Sequence, residues 1–357
     1  MGMHLYTQIA RSMVIGVTLI LVCGQSTADD GVTSGPITLA SLDMPSSTSI
    51  HRSADGNRLL FAARRTGEPK HDPRYFKFYF LDKKTNLLKR VLDDTDEDAP
   101  LVSTDAACRI AAFTLSQWAP ESVARRLIFT VNLDTLEKKV LVKDENDNYS
   151  PSVSPDGKYV AFRTDDGNIG IEDKKLLPHD TGKVVNVETG EIRTYNEPWY
   201  AIDSMCYQFE PPTWLDNDRV FFKCLGRDTP VRDEKGRILT PSGRYGQIVV
   251  ANPKEKRAIV KYYSGADLFR CVPDRERNTI WFRCSKMIVR SDWDLTRFQT
   301  AYEPPDGFFI SDHKVENGEV VFIERRGKPW KVEKGSSFLV RITQDKGIIK
   351  EEIPEKQ

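Results

Sequence analysis

The sequence predicts an all-β chain, a six-bladed β-propeller of four-stranded antiparallel blades. Three observations predict it. Phenylalanine recurs at Phe61, Phe113, Phe162, Phe222, Phe282 and Phe322, each time closing a short apolar run that follows a polar turn. After each Phe comes a loop of variable length and then two strand-like runs joined by a tight turn. No long stretch of helical period interrupts the series. The repeats span roughly 40 to 60 residues, the length of a propeller blade. A four-stranded sheet of that size cannot bury both of its faces alone, so the sheets must stack, and six set radially make a closed ring.

Taken in chain order, residues 1–28 read as a secretory signal. Arg11 and the amino terminus supply positive charge, Met13 to Val22 form the apolar stretch, and Ser26-Thr27-Ala28 offers small residues to a signal peptidase. An apolar run of this length is half of the roughly twenty residues that a membrane-spanning helix needs. Cleavage is expected after Ala28, giving an exported protein, periplasmic or extracellular, with no integral span in the mature chain. Val22 suits a lipoprotein site at Cys23 poorly, and Tyr6 stands where a myristoylation motif needs Ser or Thr. Residues 29–46 form an N-terminal segment in which 37–42 look like a strand that closes the ring or lies on an edge. The propeller is expected over 47–353, with a tail at 354–357.

The first half of each unit is an apolar run, a turn and a second run ending on the aligned Phe, as in "SIHRSADGNRLLF", "YSPSVSPDGKYVAF" and "SDHKVENGEVVF". The second half reads "FYFLDKKTNLLKRVL", "LIFTVNLDTLEKKVLV", "VVNVETGEIRTY", "QIVVANPKEKRAIV", "MIVRSDWDLTRFQT" and "FLVRITQDKGIIKEEI" in the successive units. Asp, Asn and Gly occupy the turns because they tolerate positive φ. Three apolar residues precede the aligned Phe in strands such as Tyr159-Val160-Ala161, so this strand is expected to be covered on both faces and the six Phe to be core. Two stretches rich in Gly, Pro and charge, Asp165 to Gly182 and Gly226 to Gly246, are expected to protrude as surface loops.

"PSVSPDGKYVAF", Pro151 to Phe162, resembles the signature of the WD40-like PD40 repeat of TolB-type propellers, and "HRSADGNRLLF" is a weaker copy. The other four units depart at the turn: Ala106-Ala107, Asp216-Asn217, Arg275 to Asn278 and Asn317-Gly318 stand there. The resemblance implies the propeller fold over about Ser47 to Ile353. It leaves the task open, because propellers carry many unrelated functions.

Composition narrows the classes of function. Lys plus Arg equals Asp plus Glu at 52 each, so no global field draws nucleic acid or an anionic membrane. Beyond the signal lie Cys108, Cys206, Cys224, Cys271 and Cys284, an odd number without CxxC spacing, and buried free thiols are expected. Cys271 should face Phe282 across a hairpin if the turn is Arg275 to Asn278. The five histidines form no HExxH, and no GxSxG elbow or Gly-rich phosphate loop appears. No hydrolase domain follows the propeller, as one does in the prolyl oligopeptidase relatives of this fold.

Binding on such a scaffold belongs to the loops. "DDTDEDAP" and "KDENDNYSP" precede the first strand of consecutive units, and counting back from the aligned Phe puts Asp96, Asp147 and Asp267 in matching register, with Asp306 one place off. Read functionally, these acids ring the channel mouth and hold a cation or a basic segment of a partner; read structurally, they cap turns. Neither stretch fits a calcium loop, so no metal and no cofactor is expected. His179 and His313, in or next to loops, are candidate bases, and Asp165-Asp166 a candidate carboxylate pair. Trp199, Tyr200 and Tyr207 offer a platform for peptide or saccharide, and the basic 226–246 loop a dock for an acidic partner. The expected function is an exported, non-catalytic scaffold that binds a protein partner at its channel mouth. The alternative is a secreted carbohydrate-active enzyme using mouth carboxylates as acid and base.

Overall fold

The computed structural model describes residues 38–44, 50–68, 77–92, 102–117, 125–165, 169–172, 175–178, 180–195, 211–223, 245–264, 268–284, 287–316, 318–328, 331–343 and 347–353. The signal segment, 1–28, lies outside them. Two compact units divide the chain: Met1–Phe162 with Val185–Glu191, and Arg163–Val184 with Ile192–Gln357. Among the described residues no helix is long and apolar enough to cross a membrane.

Among the described residues six sheets of four or five strands follow one another along the chain, all but the third from strands consecutive in sequence. The first holds β1 (Leu42–Asp43), β2 (Ile50–Arg52), β3 (Arg58–Arg65), β4 (Lys77–Asp82) and β5 (Leu87–Arg90), and the second β6 (Val102–Thr104), β7 (Ile110–Gln117), β8 (Arg125–Asn132) and β9 (Lys138–Val142). The third runs β10 (Asp147–Val153), β11 (Tyr159–Asp165), β14 (Thr181–Asn186) and β15 (Ile192–Tyr195), with a separate hairpin of β12 (Ile169–Glu172) and β13 (Lys175–Pro178). The fourth is β16 (Thr213–Trp214), β17 (Val220–Lys223), β18 (Tyr245–Ala251) and β19 (Ile259–Ser264), and the fifth β20 (Leu268–Asp274), β21 (Thr279–Cys284), β22 (Ile288–Asp292) and β23 (Phe298–Tyr302). The sixth is β24 (Phe308–Glu316), β25 (Glu319–Lys328), β26 (Lys331–Thr343) and β27 (Gly347–Ile353).

Two expectations are refined. The 165–182 stretch, read as a loop, contains the hairpin β12–β13, with Ile169 opposite Pro178. The segment read as a strand over 37–42 is instead a 3-10 turn at Leu39–Ser41, with strand only at Leu42–Asp43, where Leu42 pairs with Arg65 and Asp43 with Arg64 along the same side of β3 as β2.

The aligned phenylalanines are the core. Phe113, Phe162, Phe222 and Phe282 are 0% exposed and Phe61 and Phe322 are 2% exposed, so every copy is buried regardless of its turn. β11 is buried from Val160 to Thr164, which a strand covered on both faces requires. In the first unit Phe113 packs with Phe78 and Phe129, drawing residues from sheets one and two into one cluster. In the second, Phe282 packs with Phe221 of sheet four, and Phe322 with Tyr302 of sheet five. Cys271 faces Phe282, as the hairpin count predicts.

The turns show why unlike sequences give one geometry. Ser53 Oγ donates to Asp55 Oδ1 (2.6 Å) and accepts from Arg58 N (2.9 Å). Ser154 repeats this with Asp156 (2.8 Å) and Tyr159 N (3.0 Å). Gly157 takes the left-handed φ of 76° that closes the turn. In the second sheet Asp105 does the serine's work, its Oδ1 accepting from Arg109 N and Ile110 N, and the left-handed residue is Cys108 at φ 52°, one place after the expected Ala106-Ala107.

Neighbouring turns are tied together in the first unit. Ala54 N donates to Ala106 O (2.9 Å) and Ala106 N to Pro155 O (3.1 Å). Outer-strand side chains reach the next sheet's turn: Lys89 Nζ donates to Asp134 O (2.8 Å), Lys139 Nζ to Glu188 O (2.9 Å) and Tyr195 Oη to Asn252 O (2.7 Å). The guanidinium of Arg275 donates to Leu215 O (3.0 Å) and Trp214 O (2.8 Å).

Phe162→Ala tests the stacking directly. Its cavity should cost about 3–5 kcal/mol, read as a lowered urea midpoint; a loss below about 1 kcal/mol would mean that the ring bears no inter-sheet load.

Candidate functional site

Of the four acids read from register, Asp147 and Asp306 are described, while Asp96 and Asp267 lie outside the described residues. Asp147 opens β10, and its Oδ2 lies 3.3 Å from Arg126 Nη1 on β8. The same guanidinium sits 6.0 Å from the centre of the Tyr149 ring. The turn before it belongs to Asp144, whose Oδ1 accepts from Asn146 N (3.1 Å) and from Asn148 Nδ2 (2.7 Å). The acidic stretch thus divides its labour, one carboxylate capping a turn and one paired across strands. Asp306 is exposed in the Pro305–Gly307 turn before β24, where Phe308 N donates to Pro305 O (3.1 Å). It belongs to the second unit and Asp147 to the first.

His313 is the main correction. Read as a loop base, it lies inside β24 opposite Phe322, 2% exposed, with Nε2 3.4 Å from the carbonyl of Trp281. Burial, with the charges of Arg270 and Arg283, pulls its pKa down to about 3, so the ring is neutral near pH 7 and, sealed from solvent, too weak a base to take a proton from a substrate. Of His179-Asp180, only Asp180 is described: it is buried, 4.0 Å from the buried guanidinium of Arg163. Asp165 is exposed, and Asp166 lies outside the described residues.

The thiols Cys108 and Cys271 are free and buried, as expected for these two. Burial and then Asp105 push Cys108 up to about 11, and burial drives Cys271 higher still, so neither is a thiolate nucleophile. Cys206, Cys224, the side chain of Cys284, the aromatics Trp199, Tyr200 and Tyr207, and most of the basic 226–246 stretch lie outside the described residues. Among the described residues no group of three His, Cys, Asp or Glu could hold a metal.

One polar cluster escaped the sequence reading. Glu324 on β25 is 0% exposed; it accepts from Tyr302 Oη on β23 and pairs with Lys350 Nζ on β27. The ammonium of Lys350 also lies 4.1 Å from the Phe338 ring centre and 5.2 Å from that of Phe308. Burial, and then the bond to Glu324, pushes the Tyr302 hydroxyl well above the ordinary phenol range. Each member is satisfied by the others, which makes the trio a clasp between sheets five and six. The only sequence signal was alternation: Phe322 and Glu324, like Phe338 and Val340, fall on one face.

No family model and no curated protein matches the chain. Solved structures do. A prolyl endopeptidase aligns at a TM-score of 0.56 and 13% identity over 86% of this chain, which spans 43% of that longer one. The β-propeller domain of the Trilobed protease from Pyrococcus furiosus, described as having an open velcro topology, aligns at 0.51 and 12% over 85% of this chain and 84% of that one. Oligogalacturonate lyase from Vibrio parahaemolyticus aligns at 0.53 and 15% over 86% and 79%. TolB from Acinetobacter baumannii also matches, at a TM-score of 0.43. With sheets that repeat one four-strand order, the three likenesses with TM-scores above 0.5 identify the fold as a β-propeller.

His313 should leave a mark on the pH dependence of stability. Its folded-state pKa is depressed, so the unfolded chain takes up the proton first; its contribution is complete above 6.5 and is lost as pH falls toward about 3. Between pH 7 and pH 5 this amounts to about 2 kcal/mol. Urea unfolding of His313→Gln at the two pH values should show that much less acid destabilisation than wild type; equal losses would refute the assignment.

Proposed function

We propose that the chain is an exported, six-bladed propeller that acts as a non-catalytic recognition module. It binds a protein partner at the mouth formed by the connections into each first strand, with Asp96, Asp147, Asp267 and Asp306 as contact residues. The observation that carries this reading is the commitment of the described reactive groups to structure. Asp144 caps a turn, His313 is held neutral and buried, and both described thiols are raised out of reach. What remains is a rigid stack of sheets carrying connections of variable sequence, the arrangement that binding loops use.

A second reading, a secreted enzyme acting on saccharides, draws on the oligogalacturonate lyase among the similar structures. As a hydrolase it needs two mouth carboxylates about 5.5 Å apart, or about 6.5 to 9.5 Å, one of them protonated at working pH, whereas a lyase, which cleaves by elimination, needs a base that takes the proton beside the uronate carboxylate. Asp147 serves that role poorly, because its carboxylate is held in an ion pair with Arg126 at 3.3 Å.

Affinity capture tests the scaffold reading. Purified wild type and the Asp96/Asp147/Asp267/Asp306→Asn variant are used in parallel on envelope extract of the producing cell. The variant should retain about a tenth or less of the partner held by wild type, the loss growing as salt is lowered. Equal capture would remove the acidic mouth, and turnover of oligogalacturonate by wild type would replace the scaffold with the enzyme.

A further inference from the structure

The repeat supplies an internal comparison. Three residues after the aligned Phe, the first sheet carries Arg64 and the sixth Arg325, and both are buried, at 7% and 8% exposure. The main chain around them follows one pattern. Thr66 N donates to Ser41 O (2.9 Å) in the first sheet and Gly327 N to Gly307 O (2.8 Å) in the sixth, each donor five residues beyond its Phe. In that shared register Asp43 stands opposite Arg64, whereas Phe309 stands opposite Arg325.

Arg64 is complete. Its Nη2 lies 2.8 Å from Asp43 Oδ2 and its Nη1 donates to Glu68 O, while Thr66 Oγ1 is 3.4 Å from the other carboxylate oxygen. A guanidinium and a hydroxyl thus share one carboxylate, and the Asp43 side chain is 42% exposed, so it meets the buried fork from the solvent side. Arg325 lacks such a counterpart. Among the described residues it meets neither a carboxylate nor a hydrogen-bond acceptor; its Nε is sealed from solvent, while its terminal amines Nη1 and Nη2 are not. Burial lowers its pKa, with no acid opposing the shift among the described residues. Ser337, partly exposed, lies directly opposite Arg325 on β26, and the Cβ atoms of such a pair stand about 5 Å apart on one face. As the ladder passes from Arg325 with Ser337 to Gly327 with Val332, β26 runs through five residues while β25 advances two. An irregularity of this kind interrupts the ladder and re-aims the side chains beside it, which is why bulges recur at binding sites.

We infer that Arg325 and Ser337 form a receptor for a carboxylate brought by another molecule, an acidic side chain of a peptide segment. The first sheet names the chemistry: an arginine at the same depth and in the same register holds an aspartate there with the help of a hydroxyl. Arginine suits the task because its planar fork can bond both carboxylate oxygens at once and because it keeps its charge when buried. One guanidinium balances the single charge of a carboxylate, whereas a phosphate brings up to two. The peptide source follows from the same comparison, since Asp43 reaches Arg64 on a stretch of extended chain. The inference rests on the recognition reading and names a group that the partner presents, but it uses none of the acidic contact residues and is opposite to them in sign.

Thermal melting with N-acetylaspartyl methylamide, an acidic side chain between two peptide groups, tests it. At saturation the compound should raise the melting temperature of wild type by about 2 °C or more, and its asparaginyl counterpart should not. Arg325→Met should lose that rise and, without ligand, melt no lower than wild type, because it removes a buried charge that nothing balances; Arg64→Met, which breaks a made pair, should melt lower. Arg325→Lys, which keeps the charge without the fork, should keep only part of the rise. Ser337→Ala should need about threefold or more ligand to reach half of it. The proposal is overturned if the aspartyl compound gives no rise, if the rise survives in Arg325→Met, if Arg325→Met melts well below wild type, or if galacturonate at the same concentration gives the larger rise. Asp147→Asn is the control: it should show the wild-type rise while weakening capture of the natural partner. An absent rise with capture from envelope extract intact would sink this inference alone.

Discussion

A four-stranded sheet has two apolar faces and too little chain to cover either, and the rest of this molecule follows from that deficit. Each sheet borrows its cover from the sheets beside it. The borrowing is concentrated on the second strand, where an aligned phenylalanine is essentially excluded from solvent in all six copies. Because a ring of that size contributes both area and a defined edge-to-face geometry, it tolerates change around it better than a small residue would. This explains how the turns could diverge from Ser-Pro-Asp-Gly to Asp-Ala-Ala-Cys while the strand that follows stayed in register.

Polar groups are arranged around the same requirement. Serine or aspartate at the turn satisfies backbone donors that the end of the ladder leaves over, and lysines and a tyrosine on the outer strands reach the carbonyls of the next turn. None of these contacts is strong alone, since an exposed pair contributes about 1 kcal/mol or less. Repeated at several junctions within each unit, they tie neighbouring sheets to one another. The Glu324–Tyr302–Lys350 cluster is the costlier version, with a fully buried carboxylate that two donors must neutralise.

What could be read from the chain follows the same physics. The period-two pattern and the recurrence of Phe are local or additive signals, so the strands, the aligned core and the facing of Cys271 and Phe282 were legible. His313 was not. In "SDHKVENGEVVF" it sits among charged residues and looks like part of a loop, yet the single extra residue in β24 sets which face it takes. The partners of the candidate site were equally hidden: Arg126 lies 21 residues before Asp147, and Arg163 pairs with Asp180 across an inserted hairpin. Such pairings depend on which strands become neighbours, a property of the assembled sheets rather than of any window of sequence. The acid at Asp144 shows the opposite case, a residue whose turn-capping role is local, its partners lying within four residues along the chain.

The most direct test of mutual cover is removal of one lender. A chain ending at residue 305, without the sixth sheet, exposes the faces of Trp281 and Ile288 that Phe322 and Val340 cover in the full protein. Differential scanning calorimetry should then show the fifth sheet's transition lost or shifted to far lower temperature, because its cover has gone. A truncated chain that melts in one transition at the temperature of the full protein would contradict the account.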